Sequence, residues 1–450
     1  MSCNSLLIKN ASIVNEEIIF EGDVLIESGK ISKIAKNITK NGVETIDAAG
    51  LHLLPGMIDD QVHFREPGLM HKGDIESESR AAVMGGITSY MEMPNVSPAT
   101  TVVERLDEKK ERAALRSHAN YAFYLGATNN NVEELKRLKP NDACGVKIFM
   151  GASTGDMLVD NHETLDGFFA NSPLLIVTHC EDTPMITINE DKAREEYGEN
   201  VPFDLHPDIR SREACFKSSE LAVKLAKKHD ARLHVLHLTT AEEMVHFDNT
   251  LPLEQKKITA EVCAHHLFFS RKDYETKGAL IKCNPSVKEE SDRLTLLEAT
   301  KNNLIDVIAT DHAPHTWEEK QGTYFKAPSG LPLVEQALIS VLEHYHKGFF
   351  SLEQVVKKTA HAPAIVYKVK DRGFIREGYH ADLVLVDLND PHTVTDESCH
   401  YKCGWTPFAG VEFKSKIHTT IINGIVKFQG DKVVSDAKGQ ALEFENQFYR

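Results

Sequence analysis

The chain has 450 residues and eight cysteines, none of them in a Cys-x-x-Cys pair. The nearest spacing, Cys399 and Cys403, lacks a companion pair, which argues against a zinc knuckle and for free thiols in a reducing compartment. No apolar run approaches the roughly 20 residues needed to cross a bilayer. The opening stretch MSCNSLLIKN has no signal-peptide core. A cytoplasmic protein without a membrane partner is the expectation. Positive charge is also short: the formal net charge is −16, which argues against nucleic acid and anionic membranes. An acidic small substrate stays open, because a local basic pocket can oppose the global sign. Internal repeats and low-complexity tracts are missing. No glycine-rich phosphate loop follows the first strand of the middle region, so a doubly wound sheet is the weaker reading there.

The composition is that of a globular protein long enough for one large and one small domain. Residues 5–50 alternate apolar and polar in short stretches, such as Leu6-Leu7-Ile8, Ala11-Ser12-Ile13-Val14 and Asp23-Val24-Leu25-Ile26, with a turn at Glu27-Ser28-Gly29-Lys30. The C-terminal stretch behaves likewise. Residues 381–387 read as a strand, and residues 419–428 and 432–434 as a hairpin about Gly430-Asp431. In between, candidate strands at 53–58, 86–93, 119–126, 145–149, 174–178, 232–236, 258–263 and 306–309 alternate with helical patterns such as 76–84 and 218–229. The expected fold is α/β: a (β/α)8 TIM-like barrel over 55–367, with a small composite β-sandwich domain from 1–54 and 368–450.

In such a barrel, active sites lie at the C-terminal strand ends, and unusual polar residues fall there. The first strand runs into Asp59-Asp60-Gln61-Val62-His63-Phe64-Arg65. A metal centre would draw on two histidines two residues apart, projecting from one side of the strand end; this chain has Gln61 and His63. Asn95 follows the second strand, Lys147 lies on the fourth, and His179 and His237 end the fifth and sixth. His265-His266 follow the seventh and Asp311-His312-Ala313-Pro314-His315 the eighth. His63, His179 and His237 are zinc-ligand candidates. Asp311 offers a hard oxygen ligand and proton acceptor, or else a turn cap before Ala-Pro. Lys147 either carries a carbamate or anchors an anion. The fork of Arg65 suits a carboxylate, with Asn95 and His315 completing the clasp; its alternative is a rim salt bridge with Glu66.

These motifs resemble those of the cyclic amidohydrolases, and among them the dihydroorotases. The relevant strings include Phe64-Arg65-Glu66-Pro67-Gly68, Met93-Pro94-Asn95, Lys147-Ile148-Phe149-Met150, Thr178-His179-Cys180-Glu181-Asp182, Asn284-Pro285 and Gly404-Trp405-Thr406-Pro407-Phe408, so the resemblance spans almost the whole chain. It implies a zinc centre bridged by a Lys147 carbamate, with His179 and His237 holding one metal and His63 and Asp311 the other. It implies that Arg65, Asn95 and His315 bind a substrate carboxylate and that Asn284 lies near the substrate ring. The loop over 316–331 would contribute backbone contacts at Pro328 and Gly330. The implied reaction is reversible closure of N-carbamoyl-L-aspartate to L-dihydroorotate with loss of water, in pyrimidine (UMP) synthesis. Asp311 would move the proton between water and the ring nitrogen.

Allantoinases and hydantoinases share the scaffold and the lysine; Arg65 favours dihydroorotase, whose substrate carries a carboxylate where theirs do not. A homodimer and an aspartate transcarbamoylase are the partners the resemblance admits. Gln61 departs from the pattern, which has a histidine there. Three outcomes follow: a weak Gln61 ligand in a two-metal site, a one-metal enzyme, or an inactive relative serving as a scaffold.

Overall fold

The computed structural model describes residues 5–151 and 157–449. The first four residues of the opening stretch, Cys3 among them, lie outside the described residues. The N-terminal strands are β1 (Leu6–Asn15), β2 (Ile18–Glu27), β3 (Lys30–Ala35), β4 (Glu44–Asp47) and β5 (His52–Pro55). The two apolar stretches separated by Lys9-Asn10 form one strand, β1. Its register with β2 shifts between Ile8 and Ala11. Asn10 sits there at φ 58°, its N–H donating to Asp23 Oδ1 at 2.9 Å. An asparagine tolerates this left-handed backbone, so the strand bulges rather than ends.

The barrel strands are β6 (Met57–Val62), β7 (Ile87–Glu92), β8 (Asn120–Phe123) with its continuation β9 (Leu125–Gly126), β10 (Val146–Phe149), β11 (Ile176–His179), β12 (Leu233–Val235), β13 (Ile258–Cys263) and β14 (Val307–Ala309). All pair in parallel, β6-β7-β8 and β9-β10-β11-β12-β13-β14. Both faces of these strands are buried, which is why they read as near-continuous apolar runs. The ring closes where β6 meets the end of β14: Val62 bridges His312, and the His63 N–H donates to His312 O at 2.7 Å. Asp59 locks this seam. It accepts from the Thr310 hydroxyl at 2.6 Å and the Thr310 N–H at 3.1 Å. Helices at Ile75–Met84, Val103–Arg116, His162–Asn171, Arg212–His229, Glu290–Lys301 and Ala337–His346 surround the ring.

After the barrel come β15 (Leu383–Asp387), β16 (His392–Thr393), β17 (Glu412–Phe413), β18 (Lys416–Ile422), β19 (Ile425–Gln429) and β20 (Lys432–Val433). The two chain ends weave one sheet in the order β20-β19-β18-β15-β5-β1-β2-β3, with β4 beside β1. The run 419–428, read as one strand, is a correction: it folds into the β18–β19 hairpin at Asn423-Gly424, at φ 50° and 75°. Asn-Gly supplies the two left-handed residues a tight hairpin needs. The sheet curls so that this turn meets the β2–β3 turn; a Cβ on Gly29 would lie 2.8 Å from Asn423 O. Ile8, Ile13, Val24, Ile26, Leu383 and Ile421 fill the interior so enclosed. The last residues return to the barrel, where Leu442 and Phe444 pack with Met91 and Tyr124.

Candidate active site

A cavity of about 450 Å³ opens at the C-terminal strand ends. It brings together Gln61, His63 and Arg65 from the end of β6, Asn95 from beyond β7 and Lys147 on β10. His179 ends β11, and His237 and Asp311 lie just past β12 and β14. Asn284, His315, Pro328 and Gly330 complete its wall. Every residue singled out as a ligand or substrate contact therefore faces one space. His265 and His266 do not: they enter a short helix, Ala264–Phe268, behind the wall. Three of the non-glycine site residues are held in left-handed backbone, Arg65 at φ 70°, His237 at φ 37° and Asp311 at φ 52°, conformations that surrounding structure must enforce. For His237 the enforcing contact is Glu261, whose Oε1 accepts its N–H at 3.0 Å.

His63 Nδ1 lies 2.7 Å from Asn95 Oδ1 and its Nε2 3.0 Å from Asp311 Oδ1, so the ring's N–H has an acceptor on either side. Burial depresses the His63 pKa, so the ring is neutral. Burial alone would raise the Asp311 carboxyl, but His63, His265 and Lys147 together lower it and keep it ionised. Gln61 donates Nε2–H to the same Oδ1 at 3.0 Å. The rings of His179 and His237 meet edge to face at 4.6 Å between centroids, and burial keeps both neutral. His179 Nε2 is 2.7 Å from Glu181 Oε2, which also takes Arg210 at 2.7 Å.

Lys147 is fully buried. Its ammonium lies 4.5 Å over the Phe149 ring, and its Nζ has no hydrogen-bond partner. Burial lowers its pKa to about 8. Gln61 Oε1 and His237 Nδ1 are likewise buried and unpartnered. Native interiors seldom leave such groups unsatisfied. Neutral imidazoles, an ionised carboxylate and an amide oxygen form a donor set that suits zinc.

A model of the amidohydrolase family matches residues 52–426. The chain belongs to the amidohydrolase family. The dihydroorotase of Pyrococcus abyssi is 32% identical over 424 residues, 94% of this chain and 95% of that protein. The allantoinase of Desulfitobacterium hafniense is 29% identical over 452 residues, 98% of this chain and 99% of that one. Among solved structures, the L-hydantoinase of Arthrobacter aurescens matches with a TM-score of 0.91 at 27% identity, covering 97% of this chain and 99% of its own. The barrel and sandwich expected from the sequence are those of this family.

In this amidohydrolase one end of the cavity is basic. Arg65 is buried, its Nε donating to Pro314 O at 3.1 Å. Burial lowers its pKa to about 10 without discharging it. The rim partner considered for it, Glu66, is taken by Arg116 at 2.9 Å, and Arg65 has no ion pair among the described residues. Lys72, which the sequence reading missed, lies 3.1 Å from His315 Nδ1. An ammonium can only donate, so Nδ1 accepts and Nε2 carries the ring proton to Ser329 O at 3.1 Å. Arg65 Nη2, 3.1 Å from the same Nε2, thus meets an N–H and is left seeking an acceptor. The signal for Lys72 was its place in the loop after Arg65, seven residues on.

A second buried cluster also escaped the sequence reading. One layer deeper in the barrel, His234 Nε2 lies 3.3 Å from Asp60 Oδ2 and 3.7 Å from Glu261 Oε2. Burial opposes its charge, but the two carboxylates outweigh that and raise the imidazole to about 9. One of these two acids, Glu261, is the acceptor of the His237 N–H.

Proposed function

We propose that the protein is a zinc-dependent dihydroorotase, interconverting N-carbamoyl-L-aspartate and L-dihydroorotate. The observation that carries this reading is the buried, unpaired Arg65 at the basic end of the cavity. A guanidinium with a free edge in a water-poor site calls for a planar anion, and dihydroorotate carries a carboxylate beside its cyclic amide. Asn95 Nδ2 is free to complete the contact, since its Oδ1 is committed to His63.

His179 and His237 would hold one metal, and His63 with Asp311 the other, Gln61 Oε1 standing where a further ligand is wanted. Lys147, as a carbamate, would serve both. Its buried amine, with its pKa lowered to about 8, has enough neutral fraction near neutral pH to add carbon dioxide. Zinc, when bound, supplies Lewis acidity and lowers the pKa of water. The chain's own residues do the rest. Arg65 and Asn95 orient the carboxylate. In the synthetic direction Asp311, ionised and reached by the Gln61 amide, takes the proton from the ureido nitrogen; in the hydrolytic direction it returns that proton to the leaving nitrogen. Asn284, whose Oδ1 has no hydrogen-bond partner, would accept from a ring N–H. We also place the enzyme in the cytoplasm, as a homodimer able to associate with an aspartate transcarbamoylase.

Allantoin and hydantoin have no carboxylate for Arg65, which weighs against them. The inactive-scaffold reading gives no account of why Arg65, Asn95, Lys147, Asn284, Asp311 and His315 should converge on one cavity. The test is turnover of L-dihydroorotate by the purified protein, before and after chelation, with allantoin and hydantoin in parallel. Loss on chelation and recovery with zinc is the expected result. Turnover of allantoin or hydantoin alone would replace the substrate, and turnover of none by folded, metal-loaded protein would favour a scaffold.

A further inference from the structure

Behind the cavity wall made by Pro328, Ser329 and Gly330 lie two buried lysines. Lys320 ends the short helix Trp317–Lys320. Its Nζ donates to Pro328 O at 2.9 Å, Gly330 O at 3.0 Å and Lys282 O at 3.4 Å. Three N–H groups thus meet three carbonyls. Lys282 Nζ donates to Tyr324 O at 2.5 Å and Ala327 O at 2.7 Å. Neither lysine has an ion pair among the described residues. Burial lowers Lys320 to about 7 and Lys282 to about 8, and the two charges repel.

Two like charges side by side in an interior are costly, and the groups that gain from them are carbonyls of one loop. The opposite side of that loop faces the site. A trans peptide points its C=O and N–H in opposite directions. With the Pro328 carbonyl drawn back onto Lys320, the Ser329 N–H is turned toward the cavity. The Ser329 carbonyl meets His315, and the Gly330 N–H is drawn back to Lys282 O at 2.9 Å. The backbone here is one that side chains rarely adopt: Gly330 sits at φ 141°, and a Cβ there would lie 2.5 Å from Ala313 O. Such a conformation does not persist without tethers. Lys320 also lies 5.7 Å from the Trp405 ring, whose Nε1–H holds His315 O at 2.7 Å.

We propose that Lys320, braced by Lys282, is a positioning residue that sets the backbone of residues 328–330 as a substrate-binding wall. It touches no reacting atom and acts through the loop. The proposal rests on the cavity being the substrate site of a cyclic amidohydrolase.

The test compares wild type with Lys320→Met and Lys320→Arg in the metal-loaded enzyme. Kinetics use whichever of L-dihydroorotate, hydantoin and allantoin the wild type accepts. Lys320→Met removes three charge-assisted hydrogen bonds, so KM should rise about tenfold or more while kcat stays within about threefold. Metal content should not change, and Lys320→Arg should recover part of the KM. Hydrogen exchange at Gly330 should quicken in Lys320→Met, an effect that needs no substrate. If Lys320→Met fails to fold, Lys282→Met, which frees the Tyr324 and Ala327 carbonyls, carries the same expectations. Unchanged exchange, faster exchange with unchanged KM, a fall in kcat alone, or loss of metal would each overturn the proposal. Wild-type turnover of hydantoin or allantoin in place of L-dihydroorotate overturns the substrate assignment instead, and the KM comparison still decides the role of Lys320.

Discussion

Gln61 presents its amide N–H to Asp311 and leaves its carbonyl oxygen buried and unpartnered. A carbonyl oxygen is a weaker zinc ligand than imidazole, so in the proposed site this residue would set the occupancy of a metal beside His63. Gln61→His should raise the zinc bound per chain after dialysis against a weak chelator, read by elemental analysis, and raise turnover with it. No change in either would mean that the glutamine ligates adequately or that one metal suffices. In the proposed function Arg65 serves substrate rather than metal. Removing two charge-assisted hydrogen bonds costs about 3 kcal/mol or more. Arg65→Met should therefore raise KM for L-dihydroorotate roughly a hundredfold with zinc content intact; a variant that lost its metal would defeat the assignment. Both residues stood out in the sequence as chemistry without an obvious structural use. Asp311 and His315 stood out with them as strand-end residues, but the contacts themselves did not, because they join segments some 250 residues apart along the chain.

Among elements, the helix Ile75–Met84 anchors the loop that carries Arg65 and Lys72. Its N-cap Asp74 accepts from the Glu76 N–H at 3.1 Å and the Ser77 N–H at 3.0 Å. Asp74 also pairs with Lys402 at 2.7 Å and Arg116 at 3.3 Å. Asp74→Ala should lower stability by about 1–2 kcal/mol, seen as an earlier thermal transition, and loosen substrate binding more than metal binding. An unchanged transition temperature would show the cap to be redundant. The helix was legible from its period and the barrel strands from their apolar runs, since strands buried on both faces need no polar alternation. The β18–β19 turn was overlooked despite its Asn-Gly signal, because the apolar residues on either side run on as if the strand continued. The bulge at Asn10 could not be read, since Asp23 stabilises it from the neighbouring strand.

For the whole molecule, an acidic chain encloses a basic pocket, and its interior also holds neutral histidines. Burial lowers His265 to about 4 and His344 to about 3, against about 6.5 in an unfolded chain. Folded-state values this depressed mean that the unfolded chain takes up protons the folded one refuses. Their contribution is whole above about pH 6.5 and is lost as pH falls toward 4. The denaturant midpoint should drop between about pH 7 and pH 5, and His344→Leu should flatten that drop; equal midpoints at the two values would refute it.

What the chain determined by itself was local: period, strand ends, turn residues and the kinds of donor placed at each strand end. A (β/α)8 ring turns such local order into a site, because each strand delivers its last residues to the same rim. Hence His63, Lys147, His179, His237 and Asp311 were legible as a set before any coordinates. Only the tertiary structure decided what each polar atom faces: Asn95 given to His63, Glu66 given to Arg116, Arg65 left without an acid, and Lys320 buried behind the wall. These are contacts between segments far apart in sequence, and a hydrogen bond depends on tenths of an ångström that no local pattern encodes.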